Sequence, residues 1–199
     1  MFSIHINIHL ALGLIIASIY HAFFKVDLFQ FTLIVSCALI ADLDIIFIKY
    51  TKVENHRMLI SHSIFPCILF FIIGFFSSST LILTCGLAYL SHILLDTIDW
   101  GTNLFYFQKK PIGLMFLISK EEIENLNDYL SNYKVARSYF DFKYYDSKFM
   151  QSFEILLFIA MLFFMIFFAV EFILMIVVYF IGLGIHIFTH YHLKEIERT

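Results

Sequence analysis

Apolar residues run along this chain in long blocks, at about 4–24, 28–48, 63–78, 79–95 and 152–190. A helix that crosses a membrane takes ~20 apolar residues, with a range of ~17–25. The first two blocks fit that length as they stand. Residues 63–95 are too long for one crossing, and they carry Gly74 and the triplet Ser77-Ser78-Ser79. They predict a helical hairpin with two short arms that turns at the serines. Residues 152–190 as one helix would reach about 60 Å, twice the hydrocarbon thickness. Glu171 interrupts their middle, so a second hairpin turning near it is expected, although neither Gly nor Pro marks the turn. The implied fold class is all-α, a polytopic membrane bundle of about six segments.

Residues 112–151 form the one substantial polar stretch. Ser119-Lys120-Glu121-Glu122 has the S-x-x-E form of a capping box. Ile123, Leu126, Leu130 and Tyr133 then recur at helical spacing, which predicts a short amphipathic helix at the membrane surface. The run Tyr139 to Asp146 mixes aromatic and charged residues, as interfacial segments do. This stretch reads either as a linker resting on the membrane or as a lid over a site. The chain thus divides into a helical domain at 1–111, the connection at 112–151, and a C-terminal membrane hairpin with its tail at 152–199.

Composition supports the membrane reading. Of 199 residues 61% are hydrophobic, 26 are Phe, and the mean hydropathy is +0.86; soluble domains are about 45–50% apolar. A net charge of −3 with no basic patch gives no support to a nucleic-acid partner, and none is expected. Cys37, Cys67 and Cys85 are isolated in apolar runs with no C-x-x-C pair, which argues against a thiolate zinc site. Residues 4–24 lack the basic start of a signal peptide and read as an uncleaved first span. With six segments, twelve of the thirteen Lys and Arg residues fall on one face, and only Lys25 falls on the other. The positive-inside rule makes that face cytoplasmic, with the N-terminus on the same side.

Ionisable residues in such a chain are costly and point to function. His9, Asp42, Asp44, His56, His62, His92 and Asp96 each stand at the edge of an apolar stretch. On the six-segment topology all seven fall at the cytoplasmic helix ends. His92 and Asp96 are four apart, hence on one helix face, where both can reach one cation. Mixed His and Asp donors suit zinc or another first-row divalent ion, one or two per site. Asp42 can be a ligand, a helix cap, or a partner that orients a ligand imidazole. Arg57 can clamp a phosphate or anchor the positive face, and Ser63 can contact substrate or cap the next helix. His186, His190 and His192 form a second cluster, read as interfacial residues at a helix end. His5 extends the polar N-terminus, while His21 falls on the opposite face. Asp99 and Trp100 read as interfacial anchors.

The order HLALG at 9–13, DLD at 42–44, HR and SHS within 56–63, and H-x-x-x-D at 92–96 with Gly101 resembles the YdjM-like family of membrane-bound metal-dependent hydrolases. The resemblance covers about residues 1–115. The same order is more distantly similar to that of zinc-dependent phospholipases C. That similarity implies His9, Asp44, His62, His92 and Asp96 as metal ligands, with Asp96 as a bridge. His56 joins them as a further candidate ligand, and Asp42, Arg57 and Ser63 are candidate catalytic residues. The expected function is a metal-dependent hydrolase of the cell membrane, acting at its cytoplasmic face on a phosphoester such as a lipid or lipid-linked phosphate. A divalent-metal transporter or sensor, or a purely structural metal site, is the alternative.

Overall fold

A computed structural model describes residues 6–50, 56–108 and 110–199. His5, Lys52 and Lys109 lie outside the described residues. Among the described residues the chain is all-α, and the only β pairing is an isolated bridge between Thr102 and Ile112. Helix α1 (Ile6–Phe24) packs against α2 (Leu28–Cys37), α4 (Thr80–Asp99), α8 (Lys148–Phe168) and α9 (Ile176–Arg198). It is the central helix, and its polar side chains Asn7, His9, Ser18 and His21 are all buried. The first hairpin forms as expected: α3 (Ile64–Phe76) and α4 flank the serine turn, with Ser78 in the left-handed region at φ 51°. Ser63 caps α3, and Pro66 sits in its first turn, where its missing N–H costs nothing. Gly74 lets the two arms close, since a Cβ there would meet Leu83 at 2.7 Å.

The second hairpin also forms. α8 ends at Phe168, and a 3₁₀ stretch at Val170–Met175 carries Glu171 before α9 returns along α8. Phe158 of α8 stacks on Tyr179 of α9 at 5.3 Å between centroids. Glu171 is half exposed and reaches His21 Nε2 at 2.7 Å, which ties the turn to the end of α1.

Among the described residues four helices are long and apolar enough to cross a membrane: α1, α4, α8, and the stretch Val170–Arg198 that includes α9. α2 and α3 are shorter apolar helices. The second apolar block therefore does not run to residue 48 as one α-helix. It stops at Cys37 and tightens into a 3₁₀ coil over Ile40–Tyr50. At the break the Ala38 carbonyl accepts from His92 Nδ1 (2.8 Å). α8 and α9 expose rows of large apolar side chains, among them Leu156, Phe163, Phe167 and Phe188, which is how a lipid-facing surface differs from an aqueous one. The chain is an integral membrane protein.

The polar connection folds back onto the bundle. The capping box forms with Ser119 and Glu122, but the expected single helix breaks at Asn125 into α5 (Lys120–Glu124) and α6 (Leu126–Ser131). α7 (Ala136–Asp146) comes next and buries Tyr139, Phe140, Asp141 and Tyr144. The aromatic members of this group, with Ile8, Trp100, Leu117, Ile118 and Met150, make a second apolar core at one end of the bundle. Trp100 is therefore a core residue, packed edge-on against Phe140, and not an interfacial anchor. The connection packs against Ile8, beside His9 in α1, and against Trp100 at the end of α4.

Candidate metal centre

Three structural units bring polar side chains together at one end of the bundle. α1 supplies His9 from its first turns, and the last two turns of α4 supply His92 and Asp96. The segment between α2 and α3 supplies the rest from 3₁₀ turns: Asp42 and Asp44 from Ile40–Tyr50, His56 and Arg57 from His56–Met58, and His62 from Ile60–His62. Short 3₁₀ turns let a brief connection aim successive side chains at one point. Thr102 pins the segment from below, donating its hydroxyl to the carbonyls of His62 (2.8 Å) and Arg57 (3.2 Å).

Six of the side chains form two triads, His9 with His92 and Asp96, and Asp42 with His56 and His62, each with its ligand atoms within 4.8 Å of one another. The triads adjoin. His62 Nε2 lies 3.3 Å from Asp96 Oδ2, and His92 Nε2 lies 3.4 Å from the same oxygen and 3.8 Å from Asp42 Oδ1. His56 Nε2 is 3.6 Å and His62 Nε2 3.8 Å from Asp42 Oδ1, and His9 Nε2 is 3.5 Å from Asp96 Oδ1. The His9 and His92 rings stack at 3.7 Å, presenting their Nε2 edges together.

All six residues are buried, yet the Nε2 atoms of the four histidines, both oxygens of Asp42 and Oδ2 of Asp96 make no hydrogen bond among the described residues. Buried polar atoms are normally paired, so a converging set of unpaired ones needs a reason. Such a set could hold a cation. Ligands at ~2.0–2.1 Å around a tetrahedral ion stand roughly 3.3 Å from each other. That is close to the separations found here, and too long for good hydrogen bonds. The donor set of imidazoles and carboxylates suits zinc and its first-row neighbours.

The remaining polar residues stand behind these. His62 Nδ1 donates to Asp44 Oδ2 (2.9 Å), and the Ser61 hydroxyl donates to the same oxygen. Tyr89 holds the Ser61 carbonyl at 2.6 Å. The bonds from Nδ1 of His62 to Asp44 and of His92 to Ala38 leave the Nε2 lone pairs facing inward. Sequence reasoning put Asp44 among the ligands and Asp42 among the catalytic residues; the structure places Asp42 in a triad and Asp44 behind an imidazole. Ser63 points away, its hydroxyl donating to the Ile60 carbonyl and accepting from the Phe65 N–H, as a helix cap. Arg57 is buried and faces Asp96 and Asp99. Burial alone would lower the His62 imidazole, but the Asp42, Asp44 and Asp96 carboxylates push it up to about 9.

A family model, that of the YdjM inner membrane protein, matches residues 4–126. The chain belongs to this family. The matched YdjM region contains both triads and every residue described behind them. Nothing among curated proteins matches the chain, and no solved structure matches it. α7 to α9 lie beyond the YdjM match. There His190 Nδ1 meets Asp141 Oδ2 at 2.5 Å, while His186 packs against Tyr144 and Tyr145. These histidines lock α7 to α9 and do not join the triads; His192 is exposed. Sequence reasoning missed Ser61 and undervalued Asp99. Both lay in view, Ser61 beside His62 and Asp99 three residues from Asp96, a spacing that shares a helix face.

Proposed function

We propose that this protein is an integral-membrane, metal-dependent hydrolase that holds two divalent cations, zinc in the first instance, and acts on a phosphoester. The observation that carries the reading is the set of six buried donors, four imidazoles and two aspartates, whose inward atoms make no hydrogen bond among the described residues. Charge supports two ions over one. At this end, among the described residues, four buried aspartates (42, 44, 96 and 99) accompany one buried arginine, an excess of three negative charges with neutral histidines. Two divalent ions turn that into a net positive charge, which attracts an anionic substrate; one ion leaves it negative.

Such ions polarise a scissile ester and make water acidic enough to attack at neutral pH. The chain's own residues have separate tasks. His9, His92 and Asp96 hold one position, and Asp42, His56 and His62 the other. Asp44 and the Ala38 carbonyl orient imidazoles. Asp42 Oδ2, which makes no hydrogen bond among the described residues, can accept a proton. The donors themselves are buried, and the low dielectric around them strengthens every charge inside.

A lipid or lipid-linked phosphate at the cytoplasmic face is the substrate proposed. It rests on the excess of Lys and Arg on that side of the sequence and on an order of His and Asp similar to that of zinc-dependent phospholipases C. Transport is the weaker reading, because the proposed ligands gather at one end of α1 and α4 and do not line a path. The test is phosphate release from p-nitrophenyl phosphate and from phosphatidic acid vesicles by the protein in nanodiscs. Zinc-dependent turnover that falls at least ~100-fold in His92→Ala is expected. Turnover unaffected by chelation and by His92→Ala would overturn the proposal.

A further inference from the structure

Arg57 is the largest of the fully buried side chains. A guanidinium removed from water needs anionic partners in good geometry. Nη1 and Nη2 donate to the two oxygens of Asp99 at 2.6 and 3.1 Å, a two-pronged contact. Nη2 also lies 3.0 Å from Asp96 Oδ1. Both ends of this arrangement are fixed. The Arg57 carbonyl accepts from the Asn103 N–H (3.1 Å), and Asp99 Oδ1 accepts from the Trp100 N–H (2.5 Å). The last turn of α4 is clasped as well: Leu114 and Met115 donate to the Thr97 carbonyl, Phe116 to Ile98 and Leu117 to Asp99. Carbonyls at a helix end have no partner within the helix; here a second stretch of chain takes them.

The consequence falls on Asp96. Its Oδ1 faces Arg57 and His9, and its Oδ2 faces His62 and His92. A carboxylate free to rotate could offer either oxygen, or both, to one ion. We infer that Arg57 and Asp99 are a positioning pair that fixes the rotation of Asp96, so that Oδ2 is presented at the junction of the two triads. Arg57 then acts through Asp96 and is not a clamp for the substrate phosphate, the role the sequence suggested. The inference rests on the metal reading above and concerns ligand geometry, not hydrolysis.

The experiment is zinc titration of the full-length protein in nanodiscs against a competing chromophoric chelator, with the unfolding midpoint measured beside it. Arg57→Met/Asp99→Leu replaces the ion pair with apolar groups of similar size, an exchange that buried ion pairs often tolerate. The expected result is a metal-free protein that still unfolds cooperatively, at a lower midpoint because Asp96 also loses its contact with Arg57, with an unchanged number of ions and zinc binding weaker by roughly 10–100-fold, as for other residues that orient ligands. Asp99→Asn, nearly isosteric, covers the case in which the double variant does not fold. It is expected to weaken zinc binding in the same direction, and Arg57→Lys to recover part of the wild-type affinity. Cobalt substituted for zinc should show a changed visible spectrum in Asp99→Asn, because the ligand geometry changes. Wild-type affinity and an unchanged cobalt spectrum in these variants overturn the positioning role and leave the metal site standing. A wild-type protein that binds no stoichiometric metal overturns both.

Discussion

Asp44→Asn separates a ligand from a residue that holds a ligand. Asp44 Oδ2 accepts from His62 Nδ1 at 2.9 Å, and Asp44 stands outside both triads. The substitution keeps the shape and one oxygen acceptor but removes the negative charge behind the imidazole. His62 keeps its tautomer and becomes a weaker donor to the ion. Loss of such a partner elsewhere costs about 10–100-fold in metal affinity, or about 1.4–2.8 kcal/mol. The number of ions stays the same, because Asp42, His56 and His62 all remain. Asp44→Ala goes further. It strands the His62 Nδ1–H in a buried place and adds about 1–3 kcal/mol of lost stability. The assay is zinc titration with a competing chelator, read for both affinity and stoichiometry. A variant that loses one ion outright would make Asp44 a ligand, and one that binds zinc like wild type would remove it from the site altogether.

Chelation should lower the unfolding midpoint of the wild-type protein, because a bound ion stabilises only the folded chain; zinc restores it, and a midpoint indifferent to chelator contradicts the site. Gly113→Ala should destabilise by about 3 kcal/mol or more, since φ is 152° and the new Cβ would stand 2.1 Å from the Thr97 carbonyl oxygen; thermal unfolding in detergent reads this out. His186→Ala and His190→Ala should leave metal content unchanged while loosening α7 from α9, seen as faster amide exchange in residues 136–146. Asp96→Asn, at the junction of the triads, should weaken both ions, whereas His56→Ala should weaken one.

The bundle was legible because hydrophobic block length is itself a physical constraint. The serine turn and the turn near Glu171 both lie where block length required a reversal, the second without Gly or Pro. The capping box at Ser119 was equally plain, being a local pattern with a local cause. The stretch after the box was harder to read. Asn125 splits the amphipathic segment, and its apolar face packs on a core shared with Trp100 and Tyr139, a contact between distant segments that periodicity cannot show. The 3₁₀ coil after Cys37 was hidden for the same reason, since it coincides with a hydrogen bond from His92, which is 54 residues away.

The site shows the same division. Residue type and order pointed to seven His and Asp residues, and the structure gathers all of them at one end. Their roles depended on direction. An extended chain would put Asp42 and Asp44 on one face, whereas the 3₁₀ coil turns them apart and decides which carboxylate enters a triad. Arg57 looked available for substrate because its partner Asp99 lies 42 residues on, and only the fold brings the two together.

The proposed function stands or falls on two divalent cations, one held by each triad. Elemental analysis of the protein, purified without added metal and then dialysed against zinc, tests it most directly when done beside His62→Ala and His92→Ala. Two ions per wild-type chain are expected, with loss from a different triad in each variant. Wild-type protein with no stoichiometric metal, or variants that retain the full complement, would contradict it.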